Sequence, residues 1–241
     1  LLLFNFEKKY FEQEKILSTF VGHPLLENEN KNRKDFLNIK KNKSNIVSIF
    51  PGSRLSEVNR LMPILCKFIL KSKSNSENFN FCFHTTNELK KKVLSYTQKF
   101  KLNDCDVVSN TEKKNDILSN SVLAIAKSGT ISLEICNLGI PSFIIYKMNF
   151  INFFIIKNLV NVKFANIINI IANNEIIPEL LQSKCTSNNI YNKFKLFINN
   201  PKFAEEQIFN YQKILKEIKL KTSPSENVAS LLDNYLKGFS R

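Results

Sequence analysis

The sequence predicts an α/β protein built on a doubly wound parallel sheet, and three observations support this. Between residues 45 and 146, short apolar or β-branched runs alternate with amphipathic runs of helical period. Turn residues separate the runs, such as Pro51-Gly52 after the first and Ser128-Gly129-Thr130 after a later one. The run Val122–Ala126 is apolar throughout, as expected for a strand that is buried on both faces. Repeated βα units of this kind build parallel sheets covered by helices.

The individual elements follow from period and composition. Strands are predicted at 44–50, 79–84, 104–109, 122–126 and 142–146. Helices are predicted at 58–69, 87–100, 113–119, 131–138, 202–221 and 225–236. Pro63 is expected to kink or restart the first helix, because its ring removes a backbone hydrogen bond. The polar stretch 28–43 is interpreted as a linker.

Composition narrows the class of partner. The chain carries 35 Lys and Arg against 21 Asp and Glu, a formal charge of +14. The lysines are spread through every segment without a recognition helix, so no nucleic-acid partner is expected and an anionic membrane surface is favoured. Five scattered cysteines without a C-x-x-C pair predict reduced thiols in the cytoplasm. With only two histidines, no metal site is expected.

The apolar runs of the chain lead to three further expectations. The chain opens at Leu1 on a strand-like run without the features of a signal peptide, which suggests a true N-terminus further upstream. No run reaches the roughly 20 apolar residues of a membrane span. The run Phe150–Ile156 is interpreted as core with one exposed edge, and the alternative is a lipid-facing patch.

The first chemically suggestive turn is 50–54. Gly52 would let the backbone approach an anion, and Ser53 lies where a helix begins, which favours a phosphate. The Arg54 guanidinium adds a permanently charged, bidentate phosphate ligand. The alternative is an ordinary capped turn with a surface arginine.

The second turn is 127–134. Ser128, Gly129 and Thr130 offer hydroxyl and N–H groups at a helix start, and Glu134 lies one helical turn later. A carboxylate in that position would accept both ribose hydroxyls, or it would simply complement the helix dipole. Ligands of doubly wound sheets bind beyond the carboxyl ends of the strands. The two turns together therefore predict a nucleotide-diphosphate site.

Four motifs occur in the order and spacing of the lipid-A-disaccharide synthase family. They are Phe20–Leu25 with Gly22-His23-Pro24, Pro51–Arg54 with Glu57, Ser128–Thr130 with Leu133-Glu134, and Pro178–Gln182. Phe4–Glu7 resembles a fifth motif, Leu-Pro-Phe-Glu, with Asn5 in place of the proline. The chain is identified as resembling the C-terminal part of that family, with most of the N-terminal domain missing.

This resemblance implies a GT-B glycosyltransferase with two Rossmann-like domains. Residues 1–30 would be a remnant of the acceptor domain and hinge, 31–200 the donor-binding domain, and 201–241 helices that return to the N-terminal domain. The implied reaction joins UDP-2,3-diacylglucosamine to 2,3-diacylglucosamine 1-phosphate with inversion, yielding lipid A disaccharide 1-phosphate and UDP without a metal or cofactor. The enzyme would lie on the cytoplasmic face of the inner membrane, with a possible homodimer through the C-terminal helices.

The resemblance also carries over residue roles. The diphosphate would be bound by Gly52, Ser53, Arg54, Ser128, Gly129 and Thr130, and the ribose by Glu134. The donor sugar would be bound, or the cleft shaped, by Asn169, Glu175, Glu179 and Gln182. His23 is interpreted as a hinge or structural histidine, and the general base is expected in the missing domain. The alternatives are another GT-B enzyme that uses UDP-N-acetylglucosamine, namely a peptidoglycan transferase or an epimerase, and a non-catalytic nucleotide-binding or membrane-adhering fragment.

Overall fold

The computed structural model describes residues 1–27, 45–75, 77–148 and 163–239. The predicted linker 28–43 and the apolar run 150–156 lie outside these ranges. The chain divides into two compact units, one formed by Leu1–Lys31 with Gln212–Arg241 and the other by Asn32–Tyr211. The division falls inside a helix, whereas the sequence places a boundary at residue 201, where that helix begins.

The larger unit is a parallel sheet. Its strands are β1 Ile46–Phe50, β2 Asn80–His84, β3 Asp106–Val108, β4 Leu123–Lys127, β5 Ser142–Tyr146 and β6 Glu179–Leu181. Their spatial order is β3-β2-β1-β4-β5-β6, and every neighbouring pair is parallel. The predicted doubly wound α/β fold is therefore confirmed. Strand β6 was not predicted, because its three residues are too few to show a period.

Helices precede, connect and follow these strands. They are α1 Lys8–Gln13, α2 Leu55–Ser74, α3 Asn87–Lys99, α4 Thr111–Ser119, α5 Ile131–Asn137, α6 Ile167–Ala172, α7 Ser187–Asn199, α8 Pro201–Ile218 and α9 Pro224–Phe239. The expected restart at Pro63 does not occur, since α2 continues through it. The fully buried face of Val58, Leu61, Met62 and Leu65 compensates for the lost hydrogen bond. Helices α6 and α7 were not predicted.

The core packs around the central strands. Val47, Ile49 and Ile125 are completely buried, as expected for a sheet covered on both faces. Aromatic rings fill the space under α2, where the Phe68 centroid lies 5.5 Å from those of Phe81 and Phe194 in edge-on geometry. All five cysteines are buried thiols. A rigid sheet of this kind fixes the loops at its carboxyl edge.

The order of the strands also fixes where a ligand would bind. The chain runs outward from β1 through β2 to β3, then returns to build β4, β5 and β6 on the other side of β1. The loops after β1 and β4 consequently leave the sheet in opposite directions and open a crevice between them. The two glycine turns predicted from the sequence are these two loops.

The smaller unit has its own contacts. Leu2 forms a single parallel bridge with Phe20, where the sequence predicts longer strands. Gly22 has a φ of 91°, and a Cβ there would meet Leu220 Cδ1 at 2.9 Å and Pro224 Cγ at 3.0 Å. Gly22 is therefore packed closely against Leu220, which precedes α9, and against Pro224, the first residue of α9.

Candidate functional site

A cleft of about 550 Å³ lies at the carboxyl ends of β1 to β4. It is lined by both predicted turns, through Gly52, Ser53, Ser128, Gly129 and Thr130, and by residues 84–88 and 108–111. Phe50 and His84 stack at its floor, with ring centroids 4.5 Å apart and planes 13° from parallel. The structure therefore brings together five of the six residues predicted for a diphosphate.

The first turn is closed by a carboxylate. Glu57 Oε2 accepts hydrogen bonds from the backbone N–H groups of Ser53 at 3.1 Å and Arg54 at 3.3 Å. Gly52 has a φ of 111°, in the region that favours glycine. Two backbone N–H groups of the turn predicted to bind an anion are therefore already hydrogen-bonded to Glu57.

Three charges surround this turn. Lys127 Nζ lies 3.0 Å from Glu57 Oε1, and Arg54 Nη1 lies 4.0 Å from the same oxygen. The Glu57 side chain is 10% exposed, whereas that of Arg54 is 80% exposed and does not line the cleft. One carboxylate thus faces two cations at this turn, and Glu88 is a further carboxylate in the lining of the cleft. Sequence analysis missed Lys127, although its position at the end of a strand beside the second turn was a usable signal.

The second turn is built differently. Ser128 Oγ donates to the carbonyl of Ala165 at 2.6 Å, and Ser132 Oγ donates to the carbonyl of Gly129 at 2.8 Å. A Cβ added at Gly129 would meet none of the described residues within 4 Å. Side chains therefore fix the turn from outside while the space above Gly129 stays open.

Glu134 is engaged in an ion pair. Its Oε1 lies 2.5 Å from Lys114 Nζ, and the side chains are 21% and 24% exposed. Lys114 lines the cleft and Glu134 does not. A ribose would reach the Glu134 carboxylate only in competition with Lys114.

Three of the four residues predicted for the donor sugar line a second cavity of about 820 Å³. Glu175, Glu179 and Gln182 line it, together with Lys147, Lys163 and Lys184. The Gln182 Oε1 accepts a hydrogen bond from Met148 N–H at 3.3 Å, and its backbone has a φ of 50°. Three lysines give this cavity a positive lining.

Glu179 and Asn169 hold the wall of that cavity. The Glu179 carboxylate accepts hydrogen bonds from the N–H groups of Ala165 and Asn166 and from Asn169 Nδ2, at 2.8–3.1 Å. Asn169 is fully buried, donates also to Ile177 O, and accepts through Oδ1 from two backbone N–H groups. The Asn169 amide is fully used within the protein, so it positions Glu179 and does not face the cavity.

His23 lies in the smaller unit. Its Nδ1 accepts a hydrogen bond from Leu25 N–H at 3.2 Å and so caps the short 3-10 turn Pro24–Leu26. The ring packs against Phe4 at 5.2 Å, and burial lowers the pKa of His23 below its usual value. These contacts agree with the structural interpretation of this histidine.

The described ranges contain neither a metal-binding cluster nor a helix able to span a membrane. No group of three or more His, Cys, Asp or Glu side chains among residues 1–27, 45–75, 77–148 and 163–239 has metal-binding geometry. None of the helices described in those ranges combines the length and hydropathy required to cross a bilayer.

The fold defines the class. S. aureus MnaA, solved with UDP, superposes with a TM-score of 0.63 at 12% identity, covering 98% of this chain and 59% of that one. S. aureus TarM, solved with UDP and sugars, gives 0.58 at 13% identity over 96% of this chain and 42% of that one. These likenesses concern the fold alone, which is that of the GT-B glycosyltransferases and related epimerases.

The sequence identifies the family within that class. The lipid-A-disaccharide synthetase family model matches residues 1–232, so this chain belongs to that family. The lipid-A-disaccharide synthase of Sulfurihydrogenibium sp. (strain YO3AOP1) is 35% identical, over 87% of this chain and 57% of the relative. That of Rickettsia felis is 33% identical, over 95% and 60%. The resemblance read from the motifs is confirmed, and the chain spans about 60% of the length of these relatives.

Proposed function

We propose that this chain is the donor-binding part of a lipid-A-disaccharide synthase. It would bind UDP-2,3-diacylglucosamine, whose sugar is transferred with inversion to 2,3-diacylglucosamine 1-phosphate, releasing UDP. The observation that supports this best is the meeting of two glycine turns at the point where the strand order reverses, in a chain of this family.

The diphosphate would lie across the two turns. Its charge matches the excess positive charge that Arg54 and Lys127 hold against the single carboxylate of Glu57. Gly129 supplies open space for a phosphate beside the turn amides. As the glycosidic bond breaks, negative charge develops on the departing diphosphate, and these fixed cations stabilise it. Glu134 would bind the ribose after leaving Lys114.

The second cavity would take the donor sugar. Glu175 and Gln182 are proposed to contact it, while Glu179, fixed by Asn169, shapes the wall. The general base that deprotonates the acceptor hydroxyl is expected in the portion of the relatives that this chain does not span. The same proposal includes the acylated acceptor, attachment to the inner membrane from the cytoplasm, and a homodimer through the C-terminal helices.

The test is UDP binding measured by calorimetry on the chain and two variants. Arg54→Ala removes a charge from the diphosphate site, and Glu134→Ala removes the proposed ribose acceptor. We expect each to weaken UDP binding about tenfold, the effect of a lost charge-assisted hydrogen bond. Arg60→Ala, which removes the same charge six residues later, within α2 and outside both turns, is the matched control and should bind like the parent. Equal affinity in all four proteins would contradict the site assignment.

The competing functions are separated by substrate. The Neisseria meningitidis UDP-GlcNAc 2-epimerase, solved with UDP-GlcNAc, superposes with a TM-score of 0.61 at 16% identity, covering 90% of this chain and 60% of that one. Such an enzyme would act on an unacylated sugar, so the full-length protein should be assayed with acylated and unacylated donors. Turnover of the unacylated donor alone would favour an enzyme that uses UDP-N-acetylglucosamine. Binding to anionic vesicles without a UDP response would favour a non-catalytic fragment.

A further inference from the structure

The lysines of the two cavities differ in how they are paired. Both lysines that line the cleft form ion pairs, Lys127 with Glu57 and Lys114 with Glu134. The second cavity is lined by three lysines, namely Lys147, Lys163 and Lys184. Among the residues that the structure describes, no carboxylate forms an ion pair with any of these three. We call these three residues the cavity lysines.

The described lining of the second cavity contains two carboxylates, and both are engaged by N–H groups. Glu179 accepts from the backbone N–H groups of Ala165 and Asn166 and from the Asn169 amide. Glu175 Oε1 accepts from the backbone N–H of Glu179 at 3.3 Å. Three ammonium groups and two carboxylates leave one positive charge in this lining. Because the like charges of the lysines repel one another, an anion that enters between them is attracted.

The second cavity lies beside the diphosphate site along one edge of the sheet. Lys147 follows β5 directly, and Lys184 ends the 3-10 turn that follows β6. Neighbouring strands are about 5 Å apart, so the ends of β5 and β6 lie about 5 and 10 Å from the end of β4, where the second glycine turn begins. Ser128 Oγ joins the two regions, since it donates to the carbonyl of Ala165. A sugar attached to a diphosphate at the turns would extend toward the cavity lysines.

The proposed donor offers the cavity lysines no anion. Both of its phosphates would lie at the two turns, and the acylated sugar beyond them is uncharged. The proposed acceptor, by contrast, is a phosphate monoester, a group with a charge of about −1.5 to −2 near neutral pH. Lysine ammonium groups bind phosphate as point charges. The same cavity has apolar walls formed by Met148, Phe164 and Leu181, which suit the acyl chains of the acceptor.

We propose that the cavity lysines bind the 1-phosphate of the acceptor, so that donor sugar and acceptor meet in the second cavity. The inference rests on the proposed function, because the acceptor and the direction of the donor are taken from it. A cavity of about 820 Å³ is large enough for a drug-sized ligand and therefore for more than one sugar ring. The bound phosphate anchors the acceptor while its hydroxyl faces the anomeric carbon of the donor sugar. The cavity lysines thus select a phosphorylated acceptor.

The test is a phosphorus NMR titration of glucosamine 1-phosphate, an unacylated form of the acceptor, into the chain saturated with UDP. UDP occupies the diphosphate site, so the probe can report only on a second anion site. We expect a saturable shift of the monoester resonance. Lys163→Gln and Lys184→Gln should each weaken binding of the probe about fivefold, because each removes one exposed ion pair. Lys184→Arg keeps the charge and should bind the probe like the parent.

The matched control is Lys67→Gln, which removes an exposed lysine of α2 that lines neither cavity. It should bind the probe like the parent. Lys163 and Lys184 are exposed as well, so their variants should fold like the parent, and urea unfolding checks this.

Competition against the probe identifies the ligand. Glucosamine, which lacks the phosphate, should compete at least about tenfold more weakly than unlabelled probe, since it cannot engage the lysines. Inorganic phosphate should also compete more weakly, because it lacks the sugar. Equal competition by inorganic phosphate would identify a site for free anions and would overturn the acceptor assignment.

The remaining outcomes separate this inference from the proposed function. A parent that does not bind UDP in calorimetry would overturn the proposed function, and this inference with it. UDP binding without lysine-dependent binding of the probe would overturn the inference alone. Lys163→Gln and Lys184→Gln should bind UDP like the parent. A loss of UDP affinity in these variants that matches their loss of probe affinity would assign the lysines to the diphosphate and would likewise overturn the inference alone.

Discussion

The two glycine turns of the cleft look alike in sequence and differ in what requires the glycine. At Gly52 the backbone itself demands it, because φ is 111° and a Cβ would lie 2.8 Å from Glu57 Cβ and closer still to its carboxylate. At Gly129 nothing in the described structure demands it, because a Cβ would point into open space. The first glycine is therefore required by the fold, whereas no neighbour among the described residues requires the second.

The amides of the two turns differ in the same way. Glu57 accepts from Ser53 and Arg54, so the first turn is stabilised by a carboxylate where the proposed diphosphate would bring its own negative charge. The second turn is stabilised from outside, through Ser128 and Ser132. The amides of the first turn are therefore hydrogen-bonded to a side chain of the protein, whereas the side chains that stabilise the second turn bind carbonyl oxygens.

Among the variants that test this contrast, Gly52→Ala should show the largest loss of stability. A methyl group at a φ of 111° is strained and overlaps Glu57, which displaces the carboxylate that caps the turn. We expect a loss of about 2–4 kcal/mol in the free energy of unfolding. Urea unfolding measures it, with Gly129→Ala as the matched control. Equal stability of the two variants would remove the distinction between the turns.

The second-largest effect is the pH dependence of stability that His84 causes. The ring of His84 stacks on Phe50, the residue that precedes the first turn. Burial, aided by the positive charge of Lys114, lowers the pKa of His84 from 6.5 in the unfolded chain to about 3 in the folded chain. Between these values the unfolded chain binds a proton that the folded chain does not, so this contribution is fully present above pH 6.5 and falls as pH falls. One such group costs about 1.4 kcal/mol per pH unit, or about 2 kcal/mol between pH 6.5 and 5.

Subtracting the urea stability of His84→Gln from that of the parent at each pH isolates this contribution. The pKa of His23 is also lowered by burial and changes stability in the same direction, but it is common to both proteins. Parallel pH profiles for the two proteins would show that the neutral ring of His84 does not stabilise the cleft floor.

Gly129→Ala should separate binding from folding. Its methyl group fills the open space without touching a described neighbour, so the free energy of unfolding should stay within about 0.5 kcal/mol of the parent. UDP affinity should fall about tenfold, or about 1.4 kcal/mol, because the backbone no longer approaches a phosphate. Calorimetry and urea unfolding on the same sample test both halves. Unchanged UDP affinity would mean that the diphosphate does not lie over this turn.

Much of this arrangement was predictable from the sequence because it depends on local signals. Runs such as Val122–Ala126 and the turns that follow them have clear periods and turn chemistry, and they gave five of the six strands. The glycine turns after β1 and β4 then located the cleft, since parallel strands end at one edge of a sheet. Element β6, by contrast, has three residues and is held by pairing with β5.

The rest depended on contacts between residues far apart in sequence. The partnership of Lys127 with Glu57 and that of Lys114 with Glu134 join different βα units. The contact of Asn169 with Glu179 was not visible in the sequence for the same reason, since only the folded chain brings the two side chains together. His84 gave no signal at all, because it is buried against Ser48, which lies 36 residues away in sequence.

The smallest expected effect tests the carboxylate of the first turn. Glu57→Gln keeps an oxygen for the two amides but removes the charge that pairs with Lys127, so we expect a loss of about 1 kcal/mol in stability. The same change removes a negative charge from the proposed diphosphate site and frees two cations, so UDP should bind a few times more tightly, about 0.5–1 kcal/mol. Glu112→Gln, an exposed glutamate in the first turn of another helix, is the matched control. Weaker UDP binding in Glu57→Gln would mean that the carboxylate supports the ligand site directly, and the contrast between the turns would then lie in their glycines alone.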